Sequence, residues 1–171
     1  MPNWCRNRVT VTLVSTKKAD EFVVACKEKR SEPVPGTLFD TTEPKNLFQH
    51  YYPEPTGIGD EWYGWRNSNW GTKWPPEICE VLRLGDKIVQ VIFDTAWGPP
   101  LEFFEYCGEA HKWQWELIYI ETGMSFAGTA SSSNGGILKE SFTDTDPEYL
   151  EIAEEFGISF EDYDDDSQST P

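Results

Sequence analysis

Hydrophobic and polar residues alternate near the start of the chain, over residues 7–14, and this period of two is typical of a β-strand. The spacing becomes helical over 17–29, where Phe22 and Cys26 lie on one apolar face among charged residues. Two prolines follow shortly afterwards, so the helix must end before them. The pattern therefore predicts a strand followed by a helix.

The clearest local pattern lies in the middle of the chain, where two β-rich runs, 80–84 and 87–96, flank the dipeptide Gly-Asp at 85–86. A Gly-X pair between two such runs predicts a two-residue β-hairpin. A helix over 99–112 follows and begins with two prolines, which suit a first helical turn. A further strand is predicted over 115–121, so these elements have the order β-α-β-β-α-β.

The last part of the chain predicts one more hairpin and one short helix. The hairpin spans 125–142 around the Asn-Gly pair at 134–135, which is typical of a type I′ turn. The helix would be capped by Asp146, begin with Pro147 and end at Gly157. Its apolar stripe would consist of Tyr149, Ile152, Ala153 and Phe156.

The order β-α-β-β-α-β is the ferredoxin-like pattern, with two helices on one face of an antiparallel sheet. We therefore expect an α+β protein with a ferredoxin-like domain over residues 1–143, which includes the C-terminal β-hairpin. A long insertion rich in Pro and Trp, 30–76, would follow the first helix of this domain. Residues 144–171 would form a short acidic helix and a tail.

Four of the eight tryptophans lie within residues 60–74, together with several side chains that form hydrogen bonds. On a helix, Trp62, Arg66 and Asn69 would share one face, and the rings would cover more than the stripe that a surface helix buries. Two structures fit this pattern. Either the rings form a small core beneath the insertion, or one edge of the aromatic arc lines a binding pocket.

Such a pocket would recognise a planar anionic ligand, because rings stack on planar groups and Arg or Lys pairs with phosphate or carboxylate. Trp62 and Trp65 are expected to be core residues. Trp70 and Trp74 would face a recess, because a glycine between them ends the helix. Trp97, at a strand-to-helix junction, would either contact the ligand or pack on the prolines that follow. The predicted binding residues are Arg66, Asn69, Trp70, Lys73, Trp74 and Trp97.

The sequence supports no catalytic or metal site. Cys107 and His111 lie four residues apart on one predicted helix, but the only other histidine, His50, lies in the irregular insertion. The Gly- and Ser-rich segment near 134–135 lacks the Gly-Lys-Ser/Thr end of a P-loop. We expect no catalytic residues, no metal and no cofactor, and an enzyme with an unrecognised site stays as an alternative.

The net charge of −16 is concentrated at the C-terminal end. From Glu140 onward there are twelve of the 30 acidic residues and no Lys or Arg, which leaves 18 acids against 14 bases before it. This segment is either a solvating tail or a mimic of DNA, since helical carboxylates three or four residues apart stand ~5–6 Å from each other. The mimic surface would consist of Glu148, Glu151, Glu154, Glu155, Glu161, Asp162, Asp164, Asp165 and Asp166.

Three segments together resemble a known protein family. They are MPNWCRNRVTV at the start, WYGWRNSNWGTKW over 62–74 and FDTAWGPPLEFF over 93–104. In this order they are similar to the YubB-like family of phage and plasmid proteins, and the similarity runs from Met1 to about Gly128. The resemblance implies a ferredoxin-like main domain and an accessory gene of a mobile element. It supplies no catalytic residues.

We therefore expect a non-catalytic binding protein of a phage or plasmid, located in the cytoplasm of a bacterial host. It would capture a host protein or a small anionic, nucleotide-like ligand at the Trp-rich surface, for counter-defence. The alternative is an acidic DNA mimic that inhibits a host nucleic-acid-binding enzyme. We expect no direct nucleic-acid binding. We also expect no membrane contact, since no stretch approaches the ~20 apolar residues of a membrane span. The sequence leaves the oligomeric state open.

The absence of a C-x-x-C pair predicts that the four cysteines are free thiols and not part of a disulfide or a zinc module. In denaturant, and without prior reduction, all four should therefore react with a thiol reagent. Counting the labelled thiols by mass spectrometry tests this expectation, and fewer than four labels would reveal a disulfide. The cysteines are Cys5, Cys26, Cys79 and Cys107.

Overall fold

The computed structural model describes residues 3–27, 46–133 and 136–160. In this part of the chain, six strands form one antiparallel sheet, accompanied by five α-helices and a short 3-10 helix (Gly59–Glu61). The strands are β1 (Trp4–Thr12), β2 (Glu77–Arg83), β3 (Ile88–Ala96), β4 (Gln114–Glu121), β5 (Phe126–Ser133) and β6 (Gly136–Thr143). The helices are α1 (Thr16–Lys27), α2 (Leu47–Tyr51), α3 (Trp62–Asn69), α4 (Leu101–His111) and α5 (Pro147–Glu155).

The strands lie in the order β2-β3-β1-β4-β5-β6, and every neighbouring pair is antiparallel. β1 lies inside the sheet, because it pairs with β3 on one side and with β4 on the other. The ends of the first four strands differ from the predicted ends by at most three residues, and the last residues of β3 and β4 match the prediction. The prediction of an α+β protein with an antiparallel sheet is therefore confirmed.

The turn between β2 and β3 is longer than predicted. Four residues, 84–87, separate the two strands, and the N–H groups of Leu84 and Gly85 both donate to the carbonyl of Ile88 (3.0 and 3.2 Å). The guanidinium of Arg83 closes this turn, because it donates to the carbonyl of Gly85 (2.6 Å) and to that of Asp86. A side chain outside the Gly-Asp pair thus stabilises the longer turn.

One face of the sheet forms the main hydrophobic core. Val9 and Val11 of β1 are fully buried on this face, beneath α1 and α4. Both helices contribute rings to the same core, Phe22 from α1 and Phe103 and Phe104 from α4. These two helices therefore lie on one face of the sheet, as the sequence predicted.

The other face of the sheet is partly covered by α5. Tyr149, Ile152 and Ala153 of this helix are buried in a second cluster with Ile120 of β4 and Ala127 of β5. These three residues belong to the apolar stripe that the sequence predicted for the helix. The cluster attaches the C-terminal helix to the sheet.

A short helix, α2, lies inside the insertion, where the sequence predicted no regular structure. Asn46 caps it by accepting a hydrogen bond from the N–H of Gln49 (3.1 Å). Leu47 and Phe48 are fully buried in the main core. Five residues are too few to show a helical period, so the sequence pattern could not reveal this helix.

Some predicted features lie outside the described residues. They are the start of the insertion (30–45), the turn at 134–135 and the acidic tail from 161 onward. Within the described ranges, no helix has both the length and the apolar character that crossing a lipid bilayer requires.

The structure predicts that one thiol of the native protein reacts much faster than the other three. Cys79 is exposed on β2, whereas Cys5, Cys26 and Cys107 are buried. Burial also raises the pKa of each buried thiol, that of Cys26 to about 12, so little reactive thiolate forms there. Labelling in native buffer, followed over time by mass spectrometry, should show one fast site at Cys79. Fast labelling of a second cysteine would contradict the burial of the other three.

Candidate functional site

The Trp-rich segment contains α3 and the turn after it, and Trp70 is its most buried ring. Trp70 has no exposed surface, and its indole N–H donates to the carbonyl of Tyr52 (2.9 Å). Its ring contacts Phe48 (5.4 Å between centroids) and Trp65 (5.6 Å). The prediction that Trp70 faces a recess is therefore wrong. Its backbone N–H still bonds to the carbonyl of Arg66 (2.7 Å), and this last helical bond keeps the ring on the inner side of α3.

Arg66, a predicted ligand contact, is engaged within the protein. Its Nε and Nη2 donate to the two carboxylate oxygens of Glu54, each at 2.7 Å. The guanidinium also lies 4.9 Å from the ring centroid of Trp62 and 5.1 Å from that of Trp70. This bidentate pair joins the segment after α2 to α3, and the charge of Arg66 is balanced within the protein. Trp62, predicted as a core residue, is only half-buried beside it.

Asn69, another predicted ligand contact, is also engaged. Its side-chain amide donates to the carbonyl of Trp65 (2.8 Å), and its amide oxygen accepts a hydrogen bond from the hydroxyl of Tyr52. Trp65 is half-buried and packs against the main core. Both Asn69 and Arg66 thus stabilise the insertion from inside, and the structure does not place them as free ligand contacts.

A tight turn after α3 leads the chain to the end of β3. Gly71 has a φ of +77°, a left-handed conformation that side chains rarely adopt, so this turn strongly favours glycine. The next residue, Thr72, is buried and donates a hydrogen bond from its hydroxyl to the carbonyl of Ala96 (3.0 Å). This bond fixes the turn to the last residue of β3.

Four rings meet at this end of the sheet, and we refer to Trp4, Tyr63, Trp74 and Trp97 as the aromatic patch. Trp4, Tyr63 and Trp97 are 42%, 46% and 45% exposed, and Trp74 is half-buried. Trp4 contacts Trp74, with ring centroids 6.2 Å apart. The structure thus brings together two predicted residues, Trp74 and Trp97, with two that sequence reasoning missed. Clustered exposed rings of this kind often mark a binding surface.

Lys73 lies among the rings of the aromatic patch. Its Nζ is 4.8 Å from the ring centroid of Trp74, 5.3 Å from that of Trp97 and 5.6 Å from that of Tyr63. All three distances fall within the range of about 6 Å for cation–π interactions. The salt bridges in the described part of the chain do not include Lys73, so its ammonium has only ring partners there.

The backbone at Trp97 is strained, and polar contacts beneath it hold it in place. Trp97 has a φ of +69°, in the left-handed region that non-glycine residues rarely adopt, and its N–H donates to the carbonyl of Asn3 (2.9 Å). The hydroxyl of Thr95 donates to the carbonyl of Gly98 (2.7 Å) and accepts from the amide of Asn7 (2.8 Å). Asn7 and Thr95 are fully buried, so this chain of bonds fixes the turn that displays Trp97.

Cys107 and His111 do not have the environment of a catalytic pair. Cys107 is fully buried, and burial raises the pKa of its thiol well above the usual value. A ring nitrogen of His111 lies 3.1 Å from the carbonyl of Tyr51, a backbone partner. Among the described residues, no three His, Cys, Asp or Glu side chains are placed together to hold a metal ion.

The acidic surface predicted as a DNA mimic lies partly on α5. Glu148, Glu151 and Glu154 are exposed, while Glu155 forms an ion pair with Arg8 of β1. Exposed carboxylates on one helix fit both a solvating face and a mimic. The other acids of that surface lie outside the described residues and are Glu161, Asp162, Asp164, Asp165 and Asp166.

Comparison with known proteins finds a similar solved structure. No protein-family profile matches the sequence, and no curated protein matches it. The crystal structure of a protein api92 from Yersinia pseudotuberculosis, described under the family DUF1281, aligns with a TM-score of 0.55 and 11% identity. The alignment covers 84% of this chain and 98% of that chain. The likeness is one of fold alone.

The buried and the exposed tryptophans predict different effects of truncation. Trp70→Ala should lower the free energy of unfolding by about 3–5 kcal/mol, because it removes a fully buried ring and leaves the carbonyl of Tyr52 without its donor. Trp97→Ala should cost less than about 1 kcal/mol, because much of that ring is already solvated. Chemical denaturation of both variants measures the difference. Equal losses would show that Trp97 is a packing residue.

Proposed function

We propose that this protein is a non-catalytic binding protein of a phage or plasmid, which captures a host factor through the aromatic patch. The observation that supports this most directly is the meeting of three accessible rings, Tyr63, Trp74 and Trp97, around Lys73 at one end of the sheet, with Trp4 beside Trp74. Its purpose would be counter-defence in the cytoplasm of a bacterial host. The assignment to a mobile element rests on the sequence resemblance, and the assignment to binding rests on the geometry.

The residue types and the rigidity of the aromatic patch favour binding. Trp and Tyr are enriched among the residues that dominate the binding energy of protein interfaces. A ring that is already fixed loses little conformational entropy when a partner covers it. At Trp97 the backbone that carries the ring is held in place, because Asn7 and Thr95 fix its turn from the buried side.

The strained backbone of Trp97 is a second argument for a binding role. A left-handed conformation costs a non-glycine residue about 1–2 kcal/mol, a cost that glycine avoids. The ring does not recover this cost through burial, because it is 45% exposed. Strain of this kind is often found at binding sites. We therefore infer that the exposed ring serves recognition and not folding.

A small planar anionic ligand, the other occupant predicted from the sequence, has less support. Of the two cations predicted to pair with it, Arg66 is neutralised by Glu54, and only Lys73 lies at the aromatic patch. Such a ligand would have to pair with an ammonium that three rings already surround. A host factor that covers the rings fits the geometry better.

We also infer that β1 to β4, together with α1 and α4, form a ferredoxin-like unit. The order β2-β3-β1-β4 and the position of both helices on one face support this assignment. β5 and β6 continue the sheet beyond β4, and α5 covers part of its other face. This inference agrees with the fold that the resemblance to the YubB-like family implies.

The proposal predicts a host factor whose capture depends on Trp97. Tagged wild-type protein, Trp97→Ala and Leu138→Ala are purified from bacterial cells, and the co-purifying molecules are identified by mass spectrometry. Leu138 is the matched control, because it is a large apolar residue, 65% exposed, on the edge strand β6. Loss of a binding ring that contributes about 1.4 kcal/mol should reduce the captured amount about tenfold in Trp97→Ala, with little change in Leu138→Ala.

Two results would count against this function. The first is a set of co-purifying molecules that is unchanged in Trp97→Ala, and the second is an equal loss in Leu138→Ala. Thermal unfolding of all three proteins separates lost binding from lost folding.

A further inference from the structure

The side chain of Lys73 occupies the position that a bound cation would take. We propose that the aromatic patch is a cage for a quaternary ammonium group, and that Lys73 fills this cage when no ligand is bound. The group is of the kind found in choline or in trimethylated lysine. This inference rests on the proposed binding function and names the chemical group that the patch recognises.

Rings from α3 and from two loop positions surround the ammonium. Tyr63 belongs to α3, Trp74 follows the turn after α3, and Trp97 follows β3. Their centroids lie 5.6, 4.8 and 5.3 Å from the Nζ of Lys73. Trp4, the first residue of β1, contacts the ring of Trp74 and extends that wall. Several aromatic rings that converge on one cation form the arrangement by which proteins bind quaternary ammonium groups.

Electrostatics favours a cation over an anion in this cage. The face of an aromatic ring has a negative potential and attracts positive charge. The chain before Glu140 has 18 acidic residues against 14 basic ones, so a weak net negative charge adds to this preference. Arg66 does not reverse this preference, because Glu54 neutralises it.

Lys73 is able to leave the cage because its ammonium is held by rings alone in the described part of the chain. Its backbone stays in place, since its carbonyl accepts a hydrogen bond from Nη1 of Arg66 (3.5 Å). A primary ammonium is strongly hydrated, whereas a quaternary ammonium has no N–H group for water to bind. Exchange of Lys73 for a quaternary group therefore returns the better hydrated cation to water.

Two substitutions of Lys73 test this exchange. Lys73→Ala empties the cage, and Lys73→Met fills it with an uncharged chain of similar length. If Lys73 leaves the cage open in about a tenth of the molecules, Lys73→Ala should raise the affinity for choline about tenfold. Lys73→Met and Trp97→Ala should lower it below that of the wild type. An anion that pairs with Lys73 would show the opposite result, with weaker binding to Lys73→Ala.

Binding is measured on the folded, full-length protein by quenching of tryptophan fluorescence. The probes are choline, a trimethyllysine with blocked termini, and the neutral tert-butyl analogue of choline. The neutral analogue has the same shape without the charge, so it should bind at least about tenfold more weakly if the rings recognise the cation. Tighter binding of trimethyllysine than of choline assigns the group to a partner protein, and the reverse order assigns it to a small molecule.

Three results would overturn the cage. The first is that neither cation binds to Lys73→Ala. The second is that the cations bind to this variant more weakly than to the wild type. The third is that the neutral analogue binds as tightly as choline. The proposed function would survive each of them if a host factor still co-purified in a Trp97-dependent way. Cation binding without such a host factor would instead refute capture of a host factor and leave the cage as a small-molecule site.

Discussion

The arrangement of the aromatic patch depends on the hydrogen bond and the packing of the buried indole of Trp70. An indole N–H inside a core needs an acceptor, and Trp70 finds one in the carbonyl of Tyr52, 2.9 Å away. This bond ties the end of α3 to the residue that follows α2, and the ring of Phe48 ties both to the core. With α3 anchored, the turn through Gly71 leads to the end of β3, where Thr72 bonds to it.

The aromatic patch follows from this anchoring and from a second set of polar contacts on the sheet. Thr95 and Asn7 are buried, hydrogen-bonded to each other, and hold the turn in which Trp97 adopts its left-handed backbone. The polar groups of Thr95 and Asn7 are satisfied by these internal hydrogen bonds, while the ring of Trp97 stays exposed. The result is a rigid base with solvent-accessible rings around Lys73, which is the physical combination that favours binding with little loss of entropy.

Periodicity predicted the long elements and failed for the short ones. α1, α4 and α5 each show an apolar stripe because they span several turns, whereas the five residues of α2 do not. At the site, Arg66 and Asn69 are residue types that commonly bind ligands. The sequence pattern did not show that each already has hydrogen-bond partners inside the protein. Glu54 lies twelve residues before Arg66, and nothing local indicates that the two side chains meet. Residue type shows what a side chain is able to bind, and not whether the protein has already bound it.

The sequence by itself determined the antiparallel α+β class and the concentration of rings near residue 70, because periodicity and composition are local properties of the chain. Only the tertiary structure decided that Trp70 turns inward, and that Trp4 joins the patch instead. The second decision depends on strand register, since the pairing of Trp4 with Ala96 brings the first residue of β1 beside the end of β3. Register arises from contacts between segments that are about ninety residues apart, and no local pattern contains that information.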